Sequence, residues 1–293
     1  MLAVGEVLWD LLPGGRRLGG APANFAYHAH ALGAEARLVT CVGDDALGRE
    51  ILERLGALGV STGLVAVDSA APTGTVSVEL LEGGQPRFTI HEDVAWDRLS
   101  ATPAALDMAE QADAVCFGTL AQRSEASRQA IRSLVSATPP TALRVFDVNL
   151  RQAFYSRDVI EASLDLANAL KVNDEELPVL ASLLGLNGGA DEQVDAVARR
   201  FDLRLVALTR GAHGSRLCAD GRWSDHGGLP AEVADTVGAG DAFTAALALG
   251  FLSGWGLDTI NQAANELAAF VCSQAGATPP LLERLRRRFE DAW

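Results

Sequence analysis

Five short apolar runs, LAVGEVLW (2–9), ARLVTCVG (36–43), DAVCFG (113–118), LRVFDVN (143–149) and LRLVALT (203–209), lack the in/out alternation of half-exposed strands. Continuous apolar strands are those covered on both faces. Between them lie amphipathic stretches such as DDALGREILERLGALGV, in which Leu47, Ile51, Leu52, Leu55 and Leu58 fall on one helical stripe. The alternation predicts a mainly parallel sheet between helical layers. One segment departs from it. Thr73 to Trp96 reads as two strands joined by the turn EGGQ, an antiparallel hairpin interrupting the parallel pattern. It can serve as a lid over a site or as a dimer contact. No linker, repeat or low-complexity tract divides the 293 residues, which read as one domain carrying a small β element.

The formal net charge of −14 argues against a general grip on nucleic acid or an anionic membrane, since no basic field would neutralise their phosphates. A small-molecule partner is expected. The N-terminal MLAVGEVLWDLLPGG has neither the basic flank nor the apolar core of a signal peptide, and no run of about 18 apolar residues offers a span. The expectation is a cytoplasmic protein whose four cysteines, Cys41, Cys116, Cys218 and Cys272, are reduced thiols. Lys171, the only lysine, reads as a product of genome composition, without a function of its own.

The segment DTVGAGDAFTAALALGF carries the chemistry. Gly238 and Gly240 flank Ala239 where the chain turns into a helix near Asp241. Without bulky side chains, successive amides can converge on an anion, helped by the positive end of the helix dipole. A site for phosphate alone has no use for the added negative charge of Asp241. A kinase does, because a base must take the proton from the attacking hydroxyl beside the γ-phosphate. Taken by itself the pattern also fits a plain helix start, with Asp235 as cap and Asp241 as a first-turn acid contributing about 0.3–1 kcal/mol. A P-loop would need Lys-Ser/Thr after Gly240, and a dinucleotide fingerprint another glycine; Asp241-Ala242 follow instead.

These residues carry a resemblance. DTVGAGDAF resembles the C-terminal signature of the ribokinase-like (PfkB) carbohydrate kinases, and GGAPANFAYHAHALG resembles their first signature, in the family's order and at about its separation. The resemblance implies a ribokinase-like three-layer α/β/α sandwich spanning 1–293, with a β lid or clasp from about 10–20 and 73–92. It implies Asp241 as catalytic base and the amides of Gly238, Ala239 and Gly240 as anion hole. Asp235 and the carbonyl of Val237, with the late loop SQAGATP, are similar to a monovalent-cation (K⁺) site of the family. At the sugar end it implies Asp10, Gly19, Gly20 and Asn24, the last an amide that both donates and accepts. FDVNLR resembles the FDxNxR segment of fructokinases and 2-keto-3-deoxygluconate kinases, which assigns Asn149 to the substrate and Arg151 to substrate or transferring phosphate.

The nucleotide contacts follow by the same match. Asn173 and Glu176 form an NxxE element, with Glu176 organising Mg²⁺ and phosphate through water. Thr209, Arg210, Gly211 and Gly214 in LTRGAHGS resemble the loop beneath the ATP phosphates, and Asn265 stands at a place near adenine. IHEDVAWDRL and FDVNLR together resemble a fructokinase-like subgroup. The expected function is transfer of the γ-phosphate of Mg-ATP to a sugar hydroxyl, with fructose the first substrate and a homodimer built on the hairpin one outcome. The alternatives are a 2-keto-3-deoxygluconate kinase, a nucleoside kinase and a non-catalytic nucleotide- or sugar-binding module.

Overall fold

Successive residues of each central strand enter opposite cores. Leu2 and Val4 pack on one side with Val115, Phe117, Phe146, Leu170 and Leu208, while Ala3, Ala114, Cys116, Val145, Ala169 and Ala207 pack on the other. A sheet buried on both faces follows from that division. The computed structural model describes residues 1–12, 14–80 and 86–290.

The chain runs β1 (Leu2–Val4), β2 (Leu8–Leu12), β3 (Gly15–Gly19), α1 (Ala21–Ala31), β4 (Arg37–Gly43), α2 (Ala46–Ala57), β5 (Val65–Asp68), β6 (Thr75–Leu80) and β7 (Pro86–Ile90). It continues through α3 (Pro103–Ala109), β8 (Ala114–Gly118), α4 (Glu125–Ala137), β9 (Leu143–Asp147), α5 (Arg157–Leu166), β10 (Ala169–Asn173), α6 (Glu176–Leu184) and α7 (Ala190–Arg200). The last elements are β11 (Leu205–Thr209), β12 (Ser215–Ala219), β13 (Arg222–His226), α8 (Ala239–Leu252), α9 (Leu257–Cys272) and α10 (Glu283–Glu290).

Nine strands form the main sheet in the order β13-β12-β11-β10-β9-β8-β1-β4-β5. From β11 to β5 every pairing is parallel, and β12 and β13 add an antiparallel end. Helices α3 to α7 cover the core with the larger strand residues, and α1, α2, α8, α9 and α10 cover the other. On that second face the alanines of the strands let α8 lie close, and its residues Ala242 to Gly250 are all buried. The architecture is the expected α/β/α sandwich. Strand order reverses at β1, since the chain moves from β1 out to β4 and β5 and then returns to β8 on the other flank. A crevice opens at such a reversal, outside the carboxyl ends of the strands.

Two expectations are corrected. The run LAVGEVLW is not one strand: β1 stops at Val4, and Gly5 takes φ 149°, a conformation that breaks the extended run. A Cβ on Gly5 would lie 2.7 Å from Pro22, so the break lets α1 pack against it. The residues beyond, β2, leave the main sheet. Neither does the hairpin interrupt that sheet, because β6 and β7 join β2 and β3 in a separate four-stranded sheet ordered β3-β2-β6-β7. The EGGQ turn lies outside the described residues. The strand β10 was missed among the apolar runs because Lys171 interrupts its pattern.

Candidate active site

The crevice at the reversal collects the residues that follow β1, β8 and β9. Glu6, Pro22, Phe25, Thr119, Asp147, Asn149, Asp241 and Thr244 line a floor cavity of about 10 Å³, room for at most one water behind Asp241. Two of these residues need a special backbone. Asn149 turns the chain with φ 40°, a left-handed conformation that asparagine tolerates, directly after β9 ends. At the start of α8, Gly238 has φ 81°, and a Cβ there would sit 2.6 Å from the Cβ and 2.8 Å from the carbonyl oxygen of Ala277. Only glycine permits that closeness, which seats the 273–279 loop against the helix start. The first-turn amides of α8 have no acceptor inside the helix, and that of Ala239 donates to the carbonyl of Thr236 at 3.4 Å.

Asp241 stands in that first turn, half-buried, and its Oδ2 accepts 2.8 Å from Nδ2 of Asn24 on α1. Asn24 is 3% exposed, and its buried Oδ1 has no hydrogen-bond partner among the described residues. The two segments singled out in the sequence, 217 residues apart, therefore meet through one hydrogen bond. Gly20 makes this meeting possible: it has φ 108°, and a Cβ would lie 2.5 Å from the carbonyl of Glu6. A Cβ on Gly19 would meet Oδ2 of Asp10 at 2.5 Å, so the substrate glycines close on the carboxylate assigned beside them.

The electrostatics are those of carboxylates crowded out of water. Asp241 is pushed up to about 6, first by burial and then by Asp147, against the hydrogen bond from Asn24 and the charges of Lys171 and Arg151. Burial likewise raises Glu6 to about 7 and Asp10 to about 6, with Arg151 opposing in both cases. A carboxyl poised near 6 is ionised at neutral pH yet basic enough to take a proton. Arg151 itself is exposed, its Nη1 donating to the carbonyl of Leu150, and its charge reaches Glu6, Asp10 and Asp241.

The other assigned residues continue along the same sheet edge. Asn173 pairs with Thr209 in register, and Thr209 with Ser215. Asn173 and Glu176 form a capping box: Oδ1 of Asn173 accepts from the Glu176 amide at 2.7 Å, and Oε2 of Glu176 accepts from the Asn173 amide at 3.0 Å. Oε1 of Glu176 takes the amide of Leu150, tying the FDVNLR loop to α6. Both oxygens retain lone pairs for water, a donor set that fits Mg²⁺ held through its hydration shell. Gly214 closes the loop after β11, where a Cβ would lie 2.1 Å from the carbonyl of His226. Gly211 takes φ 54° there, and Arg210 is engaged with Asp225 and the carbonyl of His226. Asn265 is buried on α9, and its Nδ2 donates to Oγ of Ser215 and the carbonyl of Asn261. That hydrogen-bonding places it in the packing against β12.

Asp235 is already compensated. Its carboxylate pairs with Arg17 of β3 and accepts from the amides of Val237 and Gly276. The guanidinium of Arg17 thus supplies positive charge at the carboxylate that the family resemblance assigns to a monovalent cation. Lys171, to which no function was given, is the basic residue the sequence reading missed. It is 5% exposed, and its Nζ lies 3.0 Å from Oδ1 of Asp147. Its signal was a lone charge inside the apolar run ALKVN.

Known proteins resemble this chain over most of its length. An uncharacterised sugar kinase of Pyrococcus horikoshii is 32% identical over 267 residues, covering 88% of this chain and 82% of its own length. The structure of that protein in complex with ATP matches with a TM-score of 0.81 at 30% identity, over 94% of this chain and 93% of its own. A fructokinase of Klebsiella pneumoniae is 31% identical over 290 residues, or 94% of this chain and 92% of its own. A fructokinase of Xylella fastidiosa with bound ATP has a TM-score of 0.87 at 20% identity, covering 99% and 98%, a likeness that speaks for the fold. Residues 14–284 match the description pfkB family carbohydrate kinase. With both glycine-rich segments inside that match, the chain belongs to the PfkB family of carbohydrate kinases.

Proposed function

We propose that this sugar kinase transfers the γ-phosphate of ATP to a primary hydroxyl of fructose, with Asp241 as the base. The observation that carries the reading is the bond from Asn24 to Asp241, which joins the sugar loop to the anion-binding turn at one carboxylate. In this reading Oδ1 of Asn24 accepts from a sugar hydroxyl, and Asp10 and Asn149 hold others. Asp241 takes the proton of the attacking hydroxyl as its oxygen bonds to the γ-phosphorus. The bond from the γ-phosphorus to the bridging oxygen breaks, and ADP leaves with those electrons. The amides of Gly238, Ala239 and Gly240, with Arg151, stabilise the charge of the transferring group, a role in which one donor is worth about 3–4 kcal/mol. Bound at Glu176 through water, Mg²⁺ would neutralise phosphate charge. The row Asn173, Thr209, Gly211 and Gly214 accommodates the nucleotide beside it.

Two features favour a neutral sugar over the alternatives. Arg151 faces Glu6, Asp10 and Asp241, so the cleft is net acidic and disfavours the carboxylate of a sugar acid. The rings at the floor, Phe25 and Phe117, are each 1% exposed and offer no open face to stack a nucleoside base. The name fructokinase on relatives at about 30% identity then selects fructose among neutral sugars. The small sheet, tied to the cleft rim by Arg17–Asp235, Arg123 to the carbonyl of His91 and Gln152 to the carbonyl of Phe88, is proposed to act as a lid.

The test is ATP consumption by wild type and Asp241→Asn with fructose, other hexoses, ribose, 2-keto-3-deoxygluconate and nucleosides. Turnover on fructose falling about 10²- to 10⁴-fold in a folded variant supports the reading. Equal turnover by the two proteins removes Asp241 as base, and a different preferred compound removes fructose.

A further inference from the structure

Lys171 is the one lysine beside 23 arginines, and it is buried in the middle of the main sheet. Its Nζ is 3.0 Å from Oδ1 of Asp147, and the other oxygen of Asp147 accepts from Oγ1 of Thr244 at 3.0 Å. A Cβ built on Gly240 would lie 3.2 Å from that same Nζ. The ammonium therefore sits directly under the anion-binding turn, and the turn residue above it is a glycine with no side chain to intervene. A guanidinium is broader than an ammonium and would press into Gly240, a steric reason for lysine here alone. Asp147 and Thr244 belong to β9 and α8, so the pair also joins the central sheet to the helix that carries Asp241.

A buried ion pair is poor evidence for stability, since apolar replacements of similar volume often serve as well. Its location gives it a different use. We propose that Lys171 is a positioning residue of the phosphoryl-transfer site: its ammonium, tethered to Asp147 beneath Gly240, supports the anion-binding turn and places a fixed positive charge under the residue that precedes Asp241. The proposal rests on the reading of Asp241 as base. The charged and titratable groups facing Asp241 are Glu6 after β1, Cys116 on β8, Asp147 at the end of β9, Arg151 in the loop beyond and Lys171 on β10. Asp147 and Lys171 act on Asp241 with opposite signs, and Glu176 of α6 also faces Lys171. Burial works against the ammonium, but the surrounding carboxylates hold it charged.

The experiment follows the Asp241 carboxyl directly in ¹³C-aspartate-labelled protein without nucleotide, the resonance being assigned by its loss in Asp241→Asn. In Asp147→Asn, which keeps the hydroxyl bond and the lysine, the Asp241 midpoint falls by about one pH unit or more; in Lys171→Met it rises by a similar amount. Lys171→Met leaves Asp147 unpaired inside the protein and can fail to fold, so Asp147→Asn and the double variant carry the test. The double variant lies between the two. The lysine's own effect is the difference between the double variant and Asp147→Asn, expected at about one unit, and a double-variant midpoint within about 0.3 units of that of folded Asp147→Asn overturns the inference, whatever happens to turnover. The acid limb of kcat/KM should move with the midpoints. Failure of the base assignment has a separate signature, an acid limb that persists in Asp241→Asn, and that result leaves the carboxyl titrations standing.

Discussion

Replacing Gly238 by alanine isolates what the turn before α8 contributes. The residue holds φ 81°, which costs an alanine about 1–2 kcal/mol relative to glycine. Its new Cβ would stand 2.6 Å from the Cβ of Ala277, where ordinary contact begins at 3.4 Å, and the next neighbours, at 2.7 and 2.8 Å, are backbone atoms. Backbone cannot swing aside like a flexible side chain. Either the 273–279 loop or the start of α8 must move by roughly an ångström. Displacing catalytic groups by that amount costs about 10²-fold in rate, or ~2.7 kcal/mol of transition-state stabilisation. Gly254→Ala is the control. It lies just past the other end of α8 at φ 70°, with nothing among the described residues within 4 Å of its Cβ, so it carries the backbone strain without the collision. Steady-state turnover and thermal melting of both variants give the comparison. Both should lose a few degrees, at about 2–4 °C per kcal/mol, and only Gly238→Ala should lose turnover. A Gly238→Ala enzyme within about threefold of wild type would refute the argument that this glycine seats the anion hole.

Glu6 gives a prediction about stability. Its folded-state value near 7 lies above the ordinary 4.5, so the folded protein binds that proton more tightly than the unfolded chain does. Stability should therefore fall as pH rises from about 4.5 to 7, and Glu6→Gln should exceed wild type by up to ~3 kcal/mol at pH 8 while matching it at pH 4. Chemical denaturation at the two pH values checks this, and an equal difference at both would count against a buried, ionisable Glu6. At Asp235 the charge is supplied by Arg17. Exchanging K⁺ for tetramethylammonium should change turnover by less than about twofold, and a larger loss would show that the guanidinium does not do the work of a cation.

The apolar runs, their spacing and the helical stripe between them determined the sandwich, because burial on both faces imposes a hydrophobic pattern that is local and readable. The two glycine-rich segments were legible for a similar reason: a turn with φ beyond the reach of other residues, or a backbone approach below 3 Å, leaves glycine as the only choice, as at Gly20 and Gly238. What the sequence could not say was which residues meet. Asn24 and Asp241 are 217 residues apart, and the bond between them depends on α1 and α8 packing on the same face of the sheet. The strand written as LAVGEVLW divided into two sheets because Gly5 yields to Pro22, a contact made across the fold. Lys171 looked like an accident of composition until the register of β9 and β10 set it beside Asp147 and the approach of α8 set Gly240 above it. Local pattern fixes which elements form. Where charges meet in the interior is decided by the packing of elements distant in sequence, and burial then determines how strongly those charges act on one another.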